Sequence, residues 1–253
     1  MGKAHSVLAT VVLSLLLATP TARGSEGMLT AAVSEGWGPP LVLAEMSDRG
    51  HEGLLPDLYR AIGARLGLPV RITNRPRKRV TADILSLDMH CYATERWFPA
   101  DVVAALAWSE PVFTHVNLVI APAELPAPAE IKDLRGTIAT TLGYVYPALE
   151  AAFAEGTLVR SDAQRAPSVV DKVAAGHTDY GVVNSLVLRR HLEANPQLRD
   201  RVAVVREIDP LEIRCAARRD GPHAQAILAA VKELEGSGEL RALRERWSGG
   251  GPS

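Results

Sequence analysis

The sequence is short of several things that would announce a function. It has two cysteines, Cys91 and Cys215, which rules out a paired C-x-x-C motif. It has no surplus of either charge: 28 Lys and Arg against 29 Asp and Glu leave a formal charge of −1, so no net field draws nucleic acid or an acidic membrane surface. The partner expected from that balance is small or electrically mixed. There is no G-x-S-x-G, no H-E-x-x-H, no phosphate loop and no repeat of fixed short period.

What the sequence does have is apolar content of 47% over 253 residues, enough to bury one large core or two modest ones. Its first residues read as an export leader. Lys3 and His5 give a weakly basic start, "VLATVVLSLLLA" has the length of a secretory apolar run, and Ala22-Arg23-Gly24 predicts cleavage after Gly24. An uncleaved membrane anchor is the competing reading, but the run is shorter than the roughly 20 apolar residues a bilayer needs. No cysteine follows it to take a lipid. Removing residues 1–24 takes away Lys3 and Arg23 and moves the formal charge from −1 to −3. In an oxidising compartment Cys91 and Cys215 either pair or stay as separate buried thiols, and spacing alone does not decide between them.

After the leader, Leu29, Ala31 and Val33 alternate and predict a strand ending at Trp37, ahead of a stiff turn at Pro39 and Pro40. Leu55, Leu58, Tyr59, Ile62 and Leu66 recur at helical spacing, with Pro56 suited to the first turn and Gly67 placed for a left-handed cap. "PVRIT" is a second strand, and the order strand, helix, strand is the unit of a parallel sheet. The basic cluster "RPRKRV" opens another helix, Lys78 to Leu85. Being short and without interleaved aromatics, it reads as a solvated helix start rather than a nucleic-acid patch. "LSLDMHCYA" is a third strand, which puts "ATERW" at its carboxyl end, where open parallel sheets bind ligands. A strand through Val116 and Ile120 leads to the Pro/Ala-rich passage "AELPAPAEI", the best boundary candidate. Beyond it the pattern restarts, with a strand, glycine turn and helix start in "GTIATTLGYVYP", helices closed by Gly156 and Gly176, and a strand "DYGVVN". "RVAVV" and "EIRCAARR" read as strands, and two helices close the chain.

Five segments, "LTAAVSEGWGPP", "GLLPDLYRAIGARLGL", "DLRGTIATTLGYVYP", "AAGHTDYGVVNS" and "ILAAVKELEGSGELRALRERW", together and in this order, resemble the exported solute-binding proteins of polar-amino-acid ABC importers. This is family 3 of the bacterial extracellular solute-binding proteins, with the type II periplasmic binding-protein fold, and the likeness covers essentially the whole mature chain. It implies an α/β architecture of two lobes, each a mostly parallel sheet flanked by helices, joined by crossing strands at "NLVIAP" and "LEIRCAA" and closing on a ligand. Lobe 1 would take residues 25–122 and 214–253, and lobe 2 residues 123–213. The resemblance further implies a periplasmic monomer that needs no cofactor, binds no nucleic acid, does not stay in the membrane once the leader is gone, and hands a small polar ligand to an importer permease. In that arrangement the returning strand lies beside the third strand of lobe 1 and brings Cys215 toward Cys91, which keeps the disulfide open.

In relatives of this kind an arginine in a segment like T-x-E-R grips the ligand carboxylate, and Arg96, close to Thr94, looks like that residue. A planar guanidinium matches a carboxylate by two parallel hydrogen bonds. The competing reading is a surface arginine in a loop. Trp37, Tyr92, Trp97 and Trp108 are rings that either stack on a ligand or belong to the core. Thr141, Gly143 and Tyr144 precede a helix opened by Pro147, whose free N–H groups attract anions, unless they form an ordinary turn. Asn184 stands where amino-acid binders usually carry an aspartate for the ligand's ammonium. It keeps an acceptor without the charge, or it simply caps the helix "SLVLRRHL". Both readings move the expectation from an ordinary α-amino acid toward a carboxylate, an amide or another polar metabolite.

Two further readings stay beside that one. Some relatives of this fold are dehydratases of cyclohexadienyl acids, a chemistry that wants a cleft carboxylic acid with a raised pKa. Glu95 and Glu110 are the only acids near the suspected cleft segments of lobe 1, and both read as facing solvent. His90 and Cys91 are strand neighbours on opposite faces and do not share a metal. The other reading is a ligand-sensing partner of a membrane receptor, although no transmembrane or signalling segment accompanies it.

Overall fold

The computed structural model describes residues 27–43, 51–125 and 130–248; the leader with its predicted cleavage site, and part of the Pro/Ala-rich connector, lie outside them. In chain order the elements are β1 (Leu29–Val33), α1 (Leu54–Leu66), β2 (Val70–Asn74), α2 (Arg77–Ala82), β3 (Met89–Ala93), α3 (Ala100–Ala105), β4 (Leu106–Pro122), β5 (Gly136–Thr141), α4 (Glu150–Ala154), β6 (Leu158–Ala163), α5 (Ala166–Ala174), β7 (Tyr180–Asn184), α6 (Ser185–Ala194), β8 (Val202–Arg218), α7 (Ala224–Gly236) and α8 (Glu239–Ser248).

Helix α1 forms for local reasons. Its apolar positions fall on one face and bury Leu55, Leu58, Tyr59 and Ile62. Gly67 ends it at φ 66°, a left-handed conformation that glycine adopts without the Cβ clash. Tyr59 then ties the helix to two strands, its hydroxyl donating to the Ala32 carbonyl at 3.2 Å and accepting the Cys91 N–H at 3.1 Å.

Strands β1 and β2 pair in parallel, and the other six form one sheet in the order β3-β8-β4-β7-β5-β6. Pairing is parallel for β5 with β6 and with β7, and antiparallel wherever β4 or β8 takes part. The expected parallel character thus gives way along the two long strands. A chain that crosses the molecule once in each direction has to pair with itself antiparallel.

These two strands, 17 residues each, form the axis of the molecule, with Leu106 opposite Arg218 at one end and Pro122 opposite Val202 at the other. Against one end pack β3, α3 and α7, with α1, β1, β2 and α8 built onto them. Toward the other lie β7, α5 and α6, followed by β5 and β6. The segments "RVAVV" and "EIRCAARR", read from sequence as separate strands, are parts of β8. The interruption between them, Asp209–Pro210, is absorbed as an irregularity: Asp209 takes φ 46°, and the ladder resumes with Leu211 opposite His115. Where β3 lies antiparallel to β8, Cys91 and Cys215 form a disulfide across 124 residues, both fully buried.

Among the described residues no helix is long and apolar enough to cross a membrane, and no group of His, Cys, Asp and Glu is arranged to hold a metal ion.

Candidate functional site

A cavity of about 130 Å³ lies between the two halves, beside the stretch where β4 and β8 pass from one to the other. The long strands contribute His115, Asn117, Asp209 and Leu211 to its wall. From the first half come Arg77 and Thr81 of α2, Tyr92 of β3, and Arg96 and Trp97 of the turn after it; from the second come Gly143, Tyr144, Val145 and Pro147, which follow β5. The volume is below the roughly 300–1,000 Å³ typical of pockets for drug-sized molecules, so it suits a small solute.

Aromatic packing gives the site its rigid side. The Tyr92 ring is buried against Trp37 at 4.8 Å, Trp97 at 5.6 Å, His115 at 5.6 Å and Phe113 at 6.2 Å between centroids. Its hydroxyl accepts from the Asn184 amide at 3.4 Å, so the two halves touch here. They touch again at Arg77, whose guanidinium lies over the rings of Trp97 (5.2 Å) and Tyr144 (5.5 Å), one ring from each half. Such a sandwich holds a cation in place without neutralising it.

The polar groups divide by charge. Arg77 and Arg96 line the cavity, and among the described residues neither has a carboxylate partner. One terminal nitrogen of Arg77 donates to the Thr81 hydroxyl, and its Nε is buried with no partner. Asp209 is the one acid of the lining. Burial pushes the His115 imidazole down to about 3; His90, behind Tyr92, falls to about 3 as well, through burial first and the Arg77 charge second. Both histidines are therefore neutral at ordinary pH. Burial also raises the Tyr92 and Tyr144 hydroxyls, which stay protonated. A wider recess of about 500 Å³ adjoins the cavity and shares Arg77 and Tyr144 with it. Its lining includes Arg75, Lys78 and Arg165 and no carboxylate, although Arg75 is paired with Asp83 at 3.1 Å.

The residues singled out from sequence fall into three groups. Tyr92, Arg96, Trp97, Gly143 and Tyr144 come together around the cavity, with Arg96 exposed at its rim. Thr141 lines the adjoining recess, and its N–H, expected to be free, donates to the Tyr146 hydroxyl at 3.2 Å; Thr94 lines a separate shallow recess beside Arg96. Trp37, Trp108 and Asn184 line none of these. Trp37 is wholly buried behind Tyr92, and Trp108 packs on Phe98 with its indole N–H on the Val103 carbonyl. Asn184 is the N-cap of α6, its amide oxygen accepting the Leu186 N–H at 2.8 Å.

Sequence reading passed over Arg77, His115, Asn117 and Asp209. Arg77 was lost in a cluster that reads as a solvated helix start, and only the ring of Tyr144, brought over from the other half, shows otherwise. Asp209 had a signal: the Asp-Pro step breaks an alternating run that is otherwise strand on both sides.

No family model matches the sequence, and no protein of curated function matches it. Solved structures do match. A histidine kinase sensor domain with similarity to periplasmic binding proteins superposes with a TM-score of 0.71 at 19% identity, over 87% of this chain and 95% of that one. An arginine-binding protein from T. maritima gives 0.70 at 22%, over 89% and 97%. An ancestral arginine-binding protein bound to arginine gives 0.72 at 18%, over 87% and 98%. At these identities the likeness carries the architecture, and the chain has the mixed α/β fold of the periplasmic binding proteins.

Proposed function

We propose that this chain is an exported solute-binding protein that captures a small polar metabolite bearing a carboxylate between two lobes and delivers it to the permease of an ABC importer. The lobes are residues 25–122 with 214–253, and residues 123–213, and the long strands β4 and β8 serve as the hinge. The observation that carries this reading is the cavity between the halves, walled by aromatic rings and holding the guanidiniums of Arg77 and Arg96 without carboxylate partners. Two cations without carboxylate partners in one cavity favour an anion, and the forked guanidinium favours a carboxylate. Amino-acid binding by structures of similar fold supports the same solute class. Binding rather than turnover is the reading that the solved structures of similar fold named above support, since they are binding proteins or a sensor domain.

A thermal-shift screen of polar carboxylates tests the reading, because a solute that binds only the folded chain raises its midpoint by mass action. Arg77→Ala is expected to cost roughly 2–5 kcal/mol of binding, the range for truncating one partner of a buried charge pair, and Arg96→Ala less because Arg96 is exposed. A hit whose shift survives in both variants removes the proposed grip. A sensing role is the second reading, favoured by the likeness to a histidine kinase sensor domain. Neighbouring genes separate the two: a permease and ATPase accompany an importer, and a kinase accompanies a sensor.

A further inference from the structure

We infer that the imidazole of His115 hydrogen-bonds a hydroxyl of the captured solute, so that the ligand is a small hydroxy acid. This rests on the capture reading above and adds the class of ligand and the residue that selects it.

His115 and His90 are both almost wholly buried, at 2% and 1% exposure, but only one of them is satisfied. Each ring nitrogen of His90 has a partner, the Tyr59 hydroxyl at 3.3 Å and the Tyr92 carbonyl at 3.1 Å. His115 has no hydrogen bond among the described residues, and its Nδ1 is buried without one. A buried polar group without a partner is rare and costly. The surroundings ask for no nitrogen: the ring lies 5.6 Å from that of Tyr92 and stands opposite Leu211 in the ladder. What sets the position apart is that it lines the cavity, on one of the two long strands that pass between the halves.

The rest of the wall decides the kind of group that the ring meets. Two guanidiniums stand there against one carboxylate, that of the half-buried Asp209, so the surplus charge is positive and disfavours an ammonium on the solute. Burial keeps the imidazole itself uncharged, so it does not offset a cation either. A neutral imidazole has one donor and one acceptor nitrogen, and a half-turn of the ring exchanges each with a carbon. A hydroxyl both donates and accepts, so it matches whichever nitrogen faces it, and it is the smallest group to do so in a cavity of about 130 Å³. With the solute's carboxylate on Arg77 and Arg96, its hydroxyl then lies against β4. A deoxy acid of the same skeleton leaves the ring unpaired, and that is the circumstance in which a site rejects an analogue most strongly.

Matched sets of acids test this on the mature protein, by thermal shift and then calorimetry. Lactate is compared with propionate, 3-hydroxybutyrate with butyrate and malate with succinate, and alanine, 3-aminobutyrate and aspartate serve as the corresponding amines. The expected result is that the best hydroxy acid binds the wild type at least roughly tenfold more tightly than its deoxy partner, and that His115→Phe, which keeps a ring and removes both nitrogens, erases the difference. His115→Leu is the second variant should Phe fail to fold. Deoxy acids that bind the wild type as tightly as their hydroxy partners overturn the inference and leave capture standing. So does a preference that survives in either variant, or an amine that binds more tightly than the hydroxy acid of the same skeleton. A panel in which no acid binds overturns the capture reading and this inference together.

Discussion

His90 contacts the Tyr92 backbone carbonyl at 3.1 Å, His115 lies 5.6 Å from the Tyr92 ring between ring centres, and both are held neutral by burial. In the unfolded chain they regain an ordinary pKa near 6.5. Between about 3 and 6.5 the unfolded state thus binds more protons than the folded one, so stability is complete above pH 6.5 and is lost as pH falls toward 3. The slope is at most about 1.4 kcal/mol per pH unit for each histidine. Denaturant unfolding between pH 7 and 5 is expected to show this slope, and His115→Gln to lessen it; equal slopes would mean that His115 takes up its proton within the fold. The same residues show how little of the site could be read along the chain. Arg96 and Trp97 were visible because they follow a predicted strand end, but Arg77 acquires meaning only from the Tyr144 ring that the other half brings to it, and His115 from the Tyr92 ring of a strand distant in sequence.

Element boundaries were legible where the chemistry is local. Gly67 stops α1, and Asn184 caps α6, because each acts within one turn of itself. They were not legible in β4 and β8, whose length depends on each other: Pro111 and Pro210 look like breaks in isolation and become irregularities in a ladder that the partner strand sustains. The bond between Cys91 and Cys215 belongs to this long-range class, since it joins β3 to β8 across most of the chain between them. Cross-linking so large a loop lowers the entropy of the unfolded state. Cys91→Ala with Cys215→Ala is expected to reduce stability by roughly 2–5 kcal/mol in urea unfolding. Neither cysteine lines the cavity, so the shift caused by a bound solute should persist in the double variant at temperatures where it is folded. Loss of binding in a folded double variant would instead assign the bond to positioning Tyr92, its chain neighbour.

The two halves also meet away from the cavity. Gly38, beside Trp37, has φ 72°, and a Cβ built on it would fall 2.7 Å from the ring of Pro167 at the start of α5, in the other half. Gly36 approaches the Gln164 carbonyl along the same seam, where a Cβ would lie 3.2 Å from it. A methyl group at residue 38 therefore meets an obstacle only while the halves are together, apart from a left-handed backbone cost of about 1 kcal/mol that applies in every folded form. If capture proceeds by hinge closure, Gly38→Ala biases the molecule toward an open form and weakens affinity by the fraction of closed form lost, with every cavity side chain unchanged. Small-angle scattering is expected to show a larger radius of gyration for this variant than for the wild type at equal subsaturating solute, and the difference should shrink as solute is raised, because binding restores the closed population. Arg77→Ala acts differently, removing affinity that added closure cannot restore. Wild-type affinity and an unchanged scattering profile in Gly38→Ala would mean that the seam at Pro167 yields without opening, and that the two long strands do not work as a hinge.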